Sequence, residues 1–190
     1  KFDDSQYSKS VKPKLDSVDA GKKGLRAVME ADDLGSSYAW KVLSRTLVYA
    51  CSLVPEIADN ISSVDEAMKL GYAWKKGPFE MIDDMGAEWF VNRLKDENVT
   101  IPPLLEKVGS GQFYKIEDGK RYYFGVDGKY HELIRPEGVL LLKDIKLSRS
   151  PVFKSASASL WDIDDGVLCV EFTGKMNTLD EDVFRVYDEA

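Results

Sequence analysis

Apolar residues recur at helical spacing through the first half of the chain, from about Ser17 to Gly109. The clearest stretch follows Ser36 and Ser37, where an apolar residue returns every three or four positions, as along one face of an amphipathic helix. We expect one of these serines to cap the helix, and we expect Pro55 to kink or break it because proline lacks the amide hydrogen. The apolar positions are Ala39, Trp40, Leu43, Leu47, Cys51, Val54 and Ala58.

Turn and capping residues divide the rest of this half into shorter helices. Ser63-Val64-Asp65-Glu66 has the spacing of a capping box, in which the serine oxygen and the glutamate carboxylate satisfy free amides at the start of a helix. Gly71 is suited to ending that helix in the left-handed conformation. Pro78 is suited to the first position of the next helix, where its missing N–H costs nothing, and Gly86 is suited to its end.

Two further helices complete the helical half, over Ala87–Lys95 and from Pro102-Pro103 to just before Gly109. The whole pattern predicts four to six helices with short connections, arranged as a bundle-like layer. Residues 1–16 precede them and are polar, so we expect a linker there.

After Gly109 the hydrophobic period shortens toward two, which is typical of strands. Three aromatic-rich segments are separated by Asp-Gly turns, a strong signal for hairpins, and predict a three-stranded meander. A further turn at Asp164-Asp165-Gly166 predicts a hairpin of Ala158–Ile163 with Val167–Phe172, and Asn177–Ala190 begins like a helix. The three meander segments are Phe113–Ile116, Arg121–Phe124 and Lys129–Leu133.

The predicted fold class is therefore mainly α, a helical bundle with a small antiparallel β meander and a C-terminal β-hairpin, or α+β overall. We expect a linker over residues 1–16, a helical domain over 17–110, the meander over 111–150, and the hairpin with the start of a helix over 151–190.

The charge balance and the length of the apolar stretches exclude a nucleic-acid binder and a membrane-spanning protein. The 190-residue chain carries 26 lysines and arginines against 33 aspartates and glutamates, a net charge of −7 without a basic cluster. Such a chain lacks the electrostatic footprint of a nucleic-acid binder, and no apolar stretch reaches the length of a membrane span.

Two lone cysteines, Cys51 and Cys169, favour a reducing cytoplasm over a disulfide framework. Because the chain begins at Lys1 rather than at methionine, we expect a piece of a longer protein.

No motif in the sequence predicts a self-contained active site. Neither phosphate-binding glycine motif is present, and Gly109-Ser110-Gly111 is better interpreted as a connector. His131 lies in a predicted strand without an evident orienting partner, so a structural hydrogen bond is favoured over the role of a catalytic base. We therefore predict no catalytic, cofactor-binding or metal-binding residue in the chain.

The acidic and aromatic clusters have structural interpretations too. The neighbours Asp83 and Asp84 diverge on a helix, which favours capping or ion pairing over metal binding. The aspartates at 162, 164 and 165 are interpreted as a hairpin turn, because the remaining ligands of a calcium loop are missing. The tryptophans are expected in a core or an interface; they are Trp40, Trp74, Trp89 and Trp161.

One ordered set of motifs resembles a known family. Val64 to Gly71, then Trp74, then Gly77-Pro78-Phe79-Glu80-Met81-Ile82-Asp83 and Gly86 resemble the helical C-terminal domain of 3-hydroxyacyl-CoA dehydrogenases. Ile101 to Lys107 is similar to the Pro-Pro-Leu-Leu segment that follows in that family, so the resemblance spans roughly residues 36 to 125. In physical terms, Gly77 permits a tight approach, Pro78 presets the helix entry and Phe79 is expected to be buried.

A second resemblance lies near the end of the chain. Ser159 to Phe172, followed by Met176-Asn177-Thr178-Leu179, resembles the opening hairpin and first helix of the enoyl-CoA hydratase (crotonase) family. The order of the two matches is that of a dehydrogenase–hydratase fusion from a multifunctional β-oxidation protein.

Together the resemblances imply a fragment of an NAD-dependent 3-hydroxyacyl-CoA dehydrogenase that is inactive alone. NAD would belong to the intact enzyme, where this piece would pack on the nucleotide-binding domain, shape the acyl-CoA cleft or form a homodimer contact. A second, structural copy of the helical domain is favoured. The alternative is a non-catalytic interaction module presenting Trp74, Phe79 and Trp89 as one exposed patch. A third, weaker alternative is a cofactor-free enzyme built around His131.

Overall fold

The computed structural model describes residues 2–3, 6–7 and 14–190. Phe2–Asp3 (β1) and Gln6–Tyr7 (β2) pair as two short antiparallel strands. Of the predicted linker over residues 1–16, the described end already includes Asp16, the first residue of a helix. The same segment contains β1 and β2, and its residues 1, 4–5 and 8–13 lie outside the described residues.

In the described residues up to Val108 the structure has seven α-helices, so the predicted number of four to six is wrong. The two that the pattern missed are only five and six residues long, too short for a hydrophobic period to show. A turn of 3₁₀-helix at Gly21–Lys23 separates them. The helices are α1 (Asp16–Ala20), α2 (Leu25–Glu30), α3 (Leu34–Ser52), α4 (Ile61–Tyr72), α5 (Pro78–Met85), α6 (Ala87–Asp96) and α7 (Pro103–Val108).

The predicted serine cap of α3 is wrong. Asp33 caps this helix, and its carboxylate accepts hydrogen bonds from the backbone amides of Ser36 and Ser17, both at 2.8 Å. Ser36 lies inside the helix, where its hydroxyl donates to the Met29 carbonyl at 2.9 Å. A carboxylate beside the start of a helix also interacts favourably with the helix dipole, which a serine hydroxyl does not match. The predicted break before Pro55 is confirmed, because α3 ends at Ser52.

The predicted limits of α4 are also wrong. Asn60, rather than Ser63, is the capping residue, and its side-chain oxygen accepts the Ser63 amide at 2.9 Å. Gly71 stays inside the helix, and Ala73 takes the left-handed conformation at φ 54°. The helix is therefore longer at both ends than the capping-box pattern implies.

The limits predicted for the later helices are confirmed. Pro78 stands at the first position of α5 and Gly86 at its end. The predicted segment 87–95 matches α6, and α7 begins at Pro103 and ends before Gly109.

Two small sheets follow the helices. The first is the predicted meander, with strand order β3-β4-β5. The second has the order β6-β7-β8, and its predicted hairpin places Leu160 opposite Val170 in antiparallel register. A short helix, α8, and the strand β6 were not predicted. The elements are β3 (Tyr114–Glu117), β4 (Lys120–Phe124), β5 (Tyr130–Glu132), α8 (Leu142–Ile145), β6 (Phe153–Lys154), β7 (Ala158–Asp162), β8 (Leu168–Phe172) and α9 (Glu181–Asp188).

The chain divides into two compact units, and the division runs through the meander. The first unit contains the described residues up to Tyr114 together with Tyr123–Tyr130, and the second contains Lys115–Tyr122 and His131–Ala190. The domain limits expected at residues 17–110, 111–150 and 151–190 stay a prediction. The α+β fold class is confirmed by the helices and the small sheets.

Each unit has its own hydrophobic core. In the first unit the helices bury a large cluster of side chains, which includes Leu47, Phe79, Phe90, Leu105 and Phe113. In the second unit α9 packs on the β7–β8 hairpin and buries Ala158, Leu160, Val183 and Val186. Within the described residues, no helix combines the length and the apolar character that crossing a membrane requires.

A pair of leucines tests the position of the first core. Leu105 is fully buried on α7, so Leu105→Ala removes contacts and leaves a cavity, and we expect a loss of about 2–5 kcal/mol in the free energy of unfolding. Leu70 on α4 is 83% exposed, and Leu70→Ala is the matched control with an expected change under about 0.5 kcal/mol. Urea unfolding of both variants measures the difference, and equal losses would contradict this core.

Candidate functional site

Asp65 of α4 is completely buried and holds the first turn of α5. Its Oδ1 accepts a hydrogen bond from the backbone amide of Phe79 at 2.9 Å, and its Oδ2 accepts one from the amide of Glu80 at 3.2 Å. Amides in the first turn of a helix have no acceptor within the helix, and the helix dipole is positive at that end. One helix therefore supplies the carboxylate that caps the next.

Gly77 precedes α5 and lies directly against the Asp65 side chain. A Cβ atom built on Gly77 would lie 2.3 Å from three atoms of Asp65, a distance that no pair of non-bonded atoms tolerates. The φ angle of Gly77 is −78°, which any residue adopts, so glycine is required here for space. Pro78 and Phe79 follow it, and Phe79 is completely buried, so the predictions made for these three residues are confirmed.

Glu80 strengthens the start of α5. Its Oε2 accepts the Gly77 amide at 2.9 Å, and its Oε1 binds the Lys69 ammonium at 2.9 Å. Lys69 also pairs with Glu66 at 3.1 Å on its own helix. The ammonium lies between two carboxylates and compensates part of their repulsion.

Asp83, near the end of α5, also accepts two backbone amides with its carboxylate, as Asp65 does. Its Oδ1 accepts the amide of Phe113 at 2.7 Å, and its Oδ2 accepts the amide of Tyr114 at 2.8 Å. The rings of Phe113 and Phe79 meet edge to face with their centroids 4.9 Å apart. Helix α5 is thus fixed to α4 at one end and to the first residue of β3 near the other. We call this set the carboxylate junction: Asp65, Gly77, Phe79, Asp83 and Tyr114.

Burial dominates the electrostatics of the carboxylate junction. Burial raises the pKa of Asp65 to about 6, although the hydrogen bond from the Phe79 amide favours the charged form. Burial likewise raises the pKa of Asp83 to about 6, again against the hydrogen bonds from two backbone amides. Burial, with the Asp65 carboxylate nearby, also raises the pKa of Tyr114, so the phenol stays protonated beside that carboxylate.

The chemistry of the carboxylate junction is structural. All four carboxylate oxygens of Asp65 and Asp83 accept backbone amides. The neighbouring Asp84 points elsewhere and binds Lys76 at 2.6 Å, so the predicted separation of the Asp83-Asp84 pair is confirmed. Across the described residues, no three His, Cys, Asp or Glu side chains are grouped so as to hold a metal ion.

The other candidate residues are not brought together. His131 lies on β5 in an exposed position. Gly111 donates to the Val108 carbonyl at 2.9 Å, within a turn that connects α7 to β3. Asp164, Asp165 and the following glycine all have positive φ, which confirms their interpretation as a hairpin turn.

The tryptophans serve mainly as core residues. Trp40 is buried and meets Trp89 edge to face at 5.8 Å, while the Arg93 guanidinium lies 4.1 Å above the Trp40 ring. Trp161 is buried in the second unit. The predicted exposed patch of Trp74, Phe79 and Trp89 is wrong, because Phe79 is completely buried against Phe113.

Two glycine-to-alanine variants distinguish the effect of steric overlap on stability from the effect of helix propensity. We expect Gly77→Ala to destabilise the chain by about 1–3 kcal/mol, because the new methyl group overlaps Asp65. Gly71 lies inside α4, and an alanine Cβ there would have open space within 4 Å, so Gly71→Ala is the control and is expected to stabilise by about 0.5–1 kcal/mol. Chemical denaturation of both variants measures this, and a neutral Gly77→Ala would contradict the close contact.

The raised pKa of Asp65 predicts how stability depends on pH. Between the ordinary value of 3.8 and about 6 the folded chain binds more protons than the unfolded chain, so the contribution of Asp65 to stability rises as the pH falls through that range. We expect Asp65→Asn to reduce the rise that is measured between pH 7 and pH 5 by denaturant unfolding. Asp84→Asn is the control, since the exposed Asp84 binds Lys76 outside the carboxylate junction. Equal pH dependence in the wild type and Asp65→Asn would contradict the assignment.

Comparison with known proteins shows similarity to one family model and to longer relatives. Residues 38–123 match the family model of the 3-hydroxyacyl-CoA dehydrogenase C-terminal domain. The chain is 32% identical over 189 residues to a probable 3-hydroxyacyl-CoA dehydrogenase of Bacillus subtilis, an alignment that covers 95% of this chain and 24% of the relative. It is 30% identical over 173 residues to a putative fatty acid oxidation complex trifunctional enzyme of Rickettsia felis, covering 91% of this chain and 21% of the relative.

The extent of these matches is limited. The chain spans less than a quarter of the length of either relative, and no solved structure matches it significantly. The resemblance to the dehydrogenase domain is confirmed, while the resemblance of Ser159–Phe172 to a hydratase stays a prediction. Residues 38–123, which contain the whole carboxylate junction, are thus similar to the C-terminal domain of 3-hydroxyacyl-CoA dehydrogenases.

Proposed function

We propose that this chain provides the helical framework of a 3-hydroxyacyl-CoA dehydrogenase that works in fatty-acid oxidation. The observation that carries the proposal is the coincidence of the family match, residues 38–123, with the carboxylate junction. In the intact enzyme a 3-hydroxyacyl-CoA would be oxidised to the 3-oxoacyl thioester, with NAD accepting the hydride. This chain would supply a rigid surface for that reaction rather than its proton-transfer groups.

The residues of this chain do not fit a dinucleotide site. The 190-residue sequence has no Gly-x-Gly-x-x-Gly motif, which is the usual cradle for the pyrophosphate of NAD. All four carboxylate oxygens of Asp65 and Asp83 accept backbone amides, so neither side chain is free to bind a ribose. We therefore assign NAD to another part of the enzyme.

The partner in the intact enzyme would be the nucleotide-binding domain, with acyl-CoA bound between the two. The four hydrogen bonds that Asp65 and Asp83 accept from backbone amides support a framework role, because catalytic geometry depends on elements that are held in place. We favour a second copy of the helical domain, whose task is structural. The two free cysteines, Cys51 and Cys169, support a cytoplasmic enzyme.

Residues 151–190, which lie in the second unit, would be the opening of an enoyl-CoA hydratase domain. The hairpin of β7 and β8 is followed by α9, whose first turn is capped by Asp180, and this order is the one that the resemblance implies. A multifunctional β-oxidation protein with the dehydrogenase before the hydratase would contain both units.

An activity assay tests the framework role. We expect the purified 190-residue chain to give no turnover of acetoacetyl-CoA with NADH above background, because it lacks a nicotinamide site. An authentic 3-hydroxyacyl-CoA dehydrogenase in the same assay is the positive control. Turnover by the purified chain alone would overturn the proposal.

Variants of the proposed intact dehydrogenase provide a second test of the framework role. There we expect Gly77→Ala to lower dehydrogenase activity in proportion to the loss of folded enzyme, with KM unchanged. We expect His131→Ala, at an exposed strand position, to leave activity unchanged. A loss of kcat in His131→Ala at normal stability would instead favour an enzyme built around His131.

A further inference from the structure

Three Asp-Gly pairs occur in the chain, and each lies in a tight turn between two strands. They are Asp118-Gly119, Asp127-Gly128 and Asp165-Gly166. In such a pair the glycine nitrogen can attack the carboxyl carbon of the aspartate, because glycine has no side chain to obstruct the approach. The backbone between the two residues must rotate to bring these atoms together. Local hydrogen bonds and packing therefore decide which pair reacts.

Hydrogen bonds hold the Asp127-Gly128 pair. The Gly128 amide donates to the Gly125 carbonyl at 3.0 Å, and Oδ1 of Asp127 accepts the Lys129 amide at 3.1 Å. Both reacting groups are thus engaged elsewhere, and bringing them together would break these hydrogen bonds.

Packing within the second unit holds the Asp118-Gly119 pair. Ser148 lies so close to Gly119 that a Cβ atom built on the glycine would be 2.6 Å from the Ser148 Cβ. A backbone packed against a neighbouring side chain has little room to rotate. Asp118 itself is exposed, so the contact with Ser148 is the restraint on this pair.

The Asp165-Gly166 pair has neither restraint. Both residues are exposed, and a Cβ atom built on Gly166 would meet no atom within 4 Å. Within the described part of the chain, the Gly166 amide has no acceptor and the Asp165 carboxylate has no hydrogen-bond or ion-pair partner. The neighbouring Asp164 is engaged instead, because one nitrogen of Arg149 binds both of its carboxylate oxygens, at 2.8 and 2.7 Å.

We propose that Asp165 is a site of spontaneous backbone modification, at which aspartate converts to isoaspartate. The Gly166 nitrogen forms a bond to Cγ of Asp165, and the carboxyl hydroxyl leaves with the amide proton as water. The product of this step is a five-membered cyclic imide. Water then opens the imide: addition at Cγ restores aspartate, whereas addition at the α-carbonyl carbon leaves the main chain running through the side chain.

The product has the same mass as the original chain and a free α-carboxylate at position 165. This carboxylate is the chemical group that isoaspartate-specific methyltransferases methylate, with S-adenosylmethionine as the methyl donor. The main chain of the turn also gains one carbon atom, beside the hydrogen bond of 3.0 Å from Ile163 to Val167 that begins the hairpin. The inference rests on the chemistry of this turn and is independent of the proposed dehydrogenase role.

Peptide mapping of the purified chain tests the proposal after several weeks at mildly acidic pH and physiological temperature. Trypsin places the three pairs on separate peptides, residues 116–120, 122–129 and 155–175. Electron-transfer fragmentation distinguishes isoaspartate from aspartate at equal mass. We expect isoaspartate to accumulate several times faster at Asp165 than at Asp118 or Asp127.

Synthetic peptides of the same three ranges are the control for the intrinsic reactivity of each pair. Without the fold they are expected to form isoaspartate at similar rates. Equal accumulation at the three pairs of the folded chain would overturn the proposal. So would an unmodified Asp165 in the folded chain under conditions in which the 155–175 peptide reacts.

Two variants separate the contributions of the residue and of the packing. Asp165→Glu is expected to abolish the modified form of the 155–175 peptide, because glutamate would have to close a slower six-membered ring. Persistence of that form would assign the reaction to another aspartate and overturn the proposal.

Ser148→Gly is expected to raise isoaspartate at Asp118, because it removes the side chain packed against Gly119. Ser150→Gly, at an exposed position two residues further on, is the matched control and is expected to leave Asp118 unmodified. Circular dichroism shows that each variant is folded. An unchanged rate at Asp118 in folded Ser148→Gly would contradict the selection of Asp165 by local packing.

Discussion

The contact between Gly77 and the buried Asp65 is the constraint on which the first unit depends. The carboxylate reaches the free amides of α5 because the residue before that helix has no side chain. Once α5 is fixed in this way, Phe79 enters the core and Asp83 reaches the amides of Phe113 and its neighbour. Loss of the close contact would therefore disturb the helix, the aromatic core and the start of β3 together.

Desolvation makes this arrangement sensitive to its environment. A buried carboxylate is costly unless its oxygens accept hydrogen bonds, and here backbone amides supply them. Even so, burial keeps the pKa values of Asp65 and Asp83 near 6, well above the ordinary value. The hydrogen-bond geometry of the carboxylate junction is favourable, but the burial of its charges is not. Protonation at acidic pH therefore lowers the free-energy cost of burying Asp65 and Asp83.

Much of the fold could be predicted from local patterns, because prolines, glycines and Asp-Gly turns act over a few residues. Pro78 and Gly86 mark the true limits of α5, and the turn at Asp164 joins the predicted hairpin. The capping residues could not be predicted as well, since Asp33 and Asn60 compete with nearby serines that fit the same motif. Tertiary contacts decide between such alternatives, and a short sequence motif does not contain them.

The role of Asp65 shows the same limit at the candidate site. The capping-box motif placed this residue on a helix, whereas its carboxylate caps the following helix, 14 residues further along the sequence.

Hydrogen exchange at the first turn of α5 tests this account most directly. Amides in the first turn of a helix normally exchange fast, because they lack an acceptor within the helix. If Asp65 accepts the amides of Phe79 and Glu80, both should be protected nearly as well as the core of the first unit at neutral pH. Exchange of these two amides at the rate of an uncapped helix end would contradict the account.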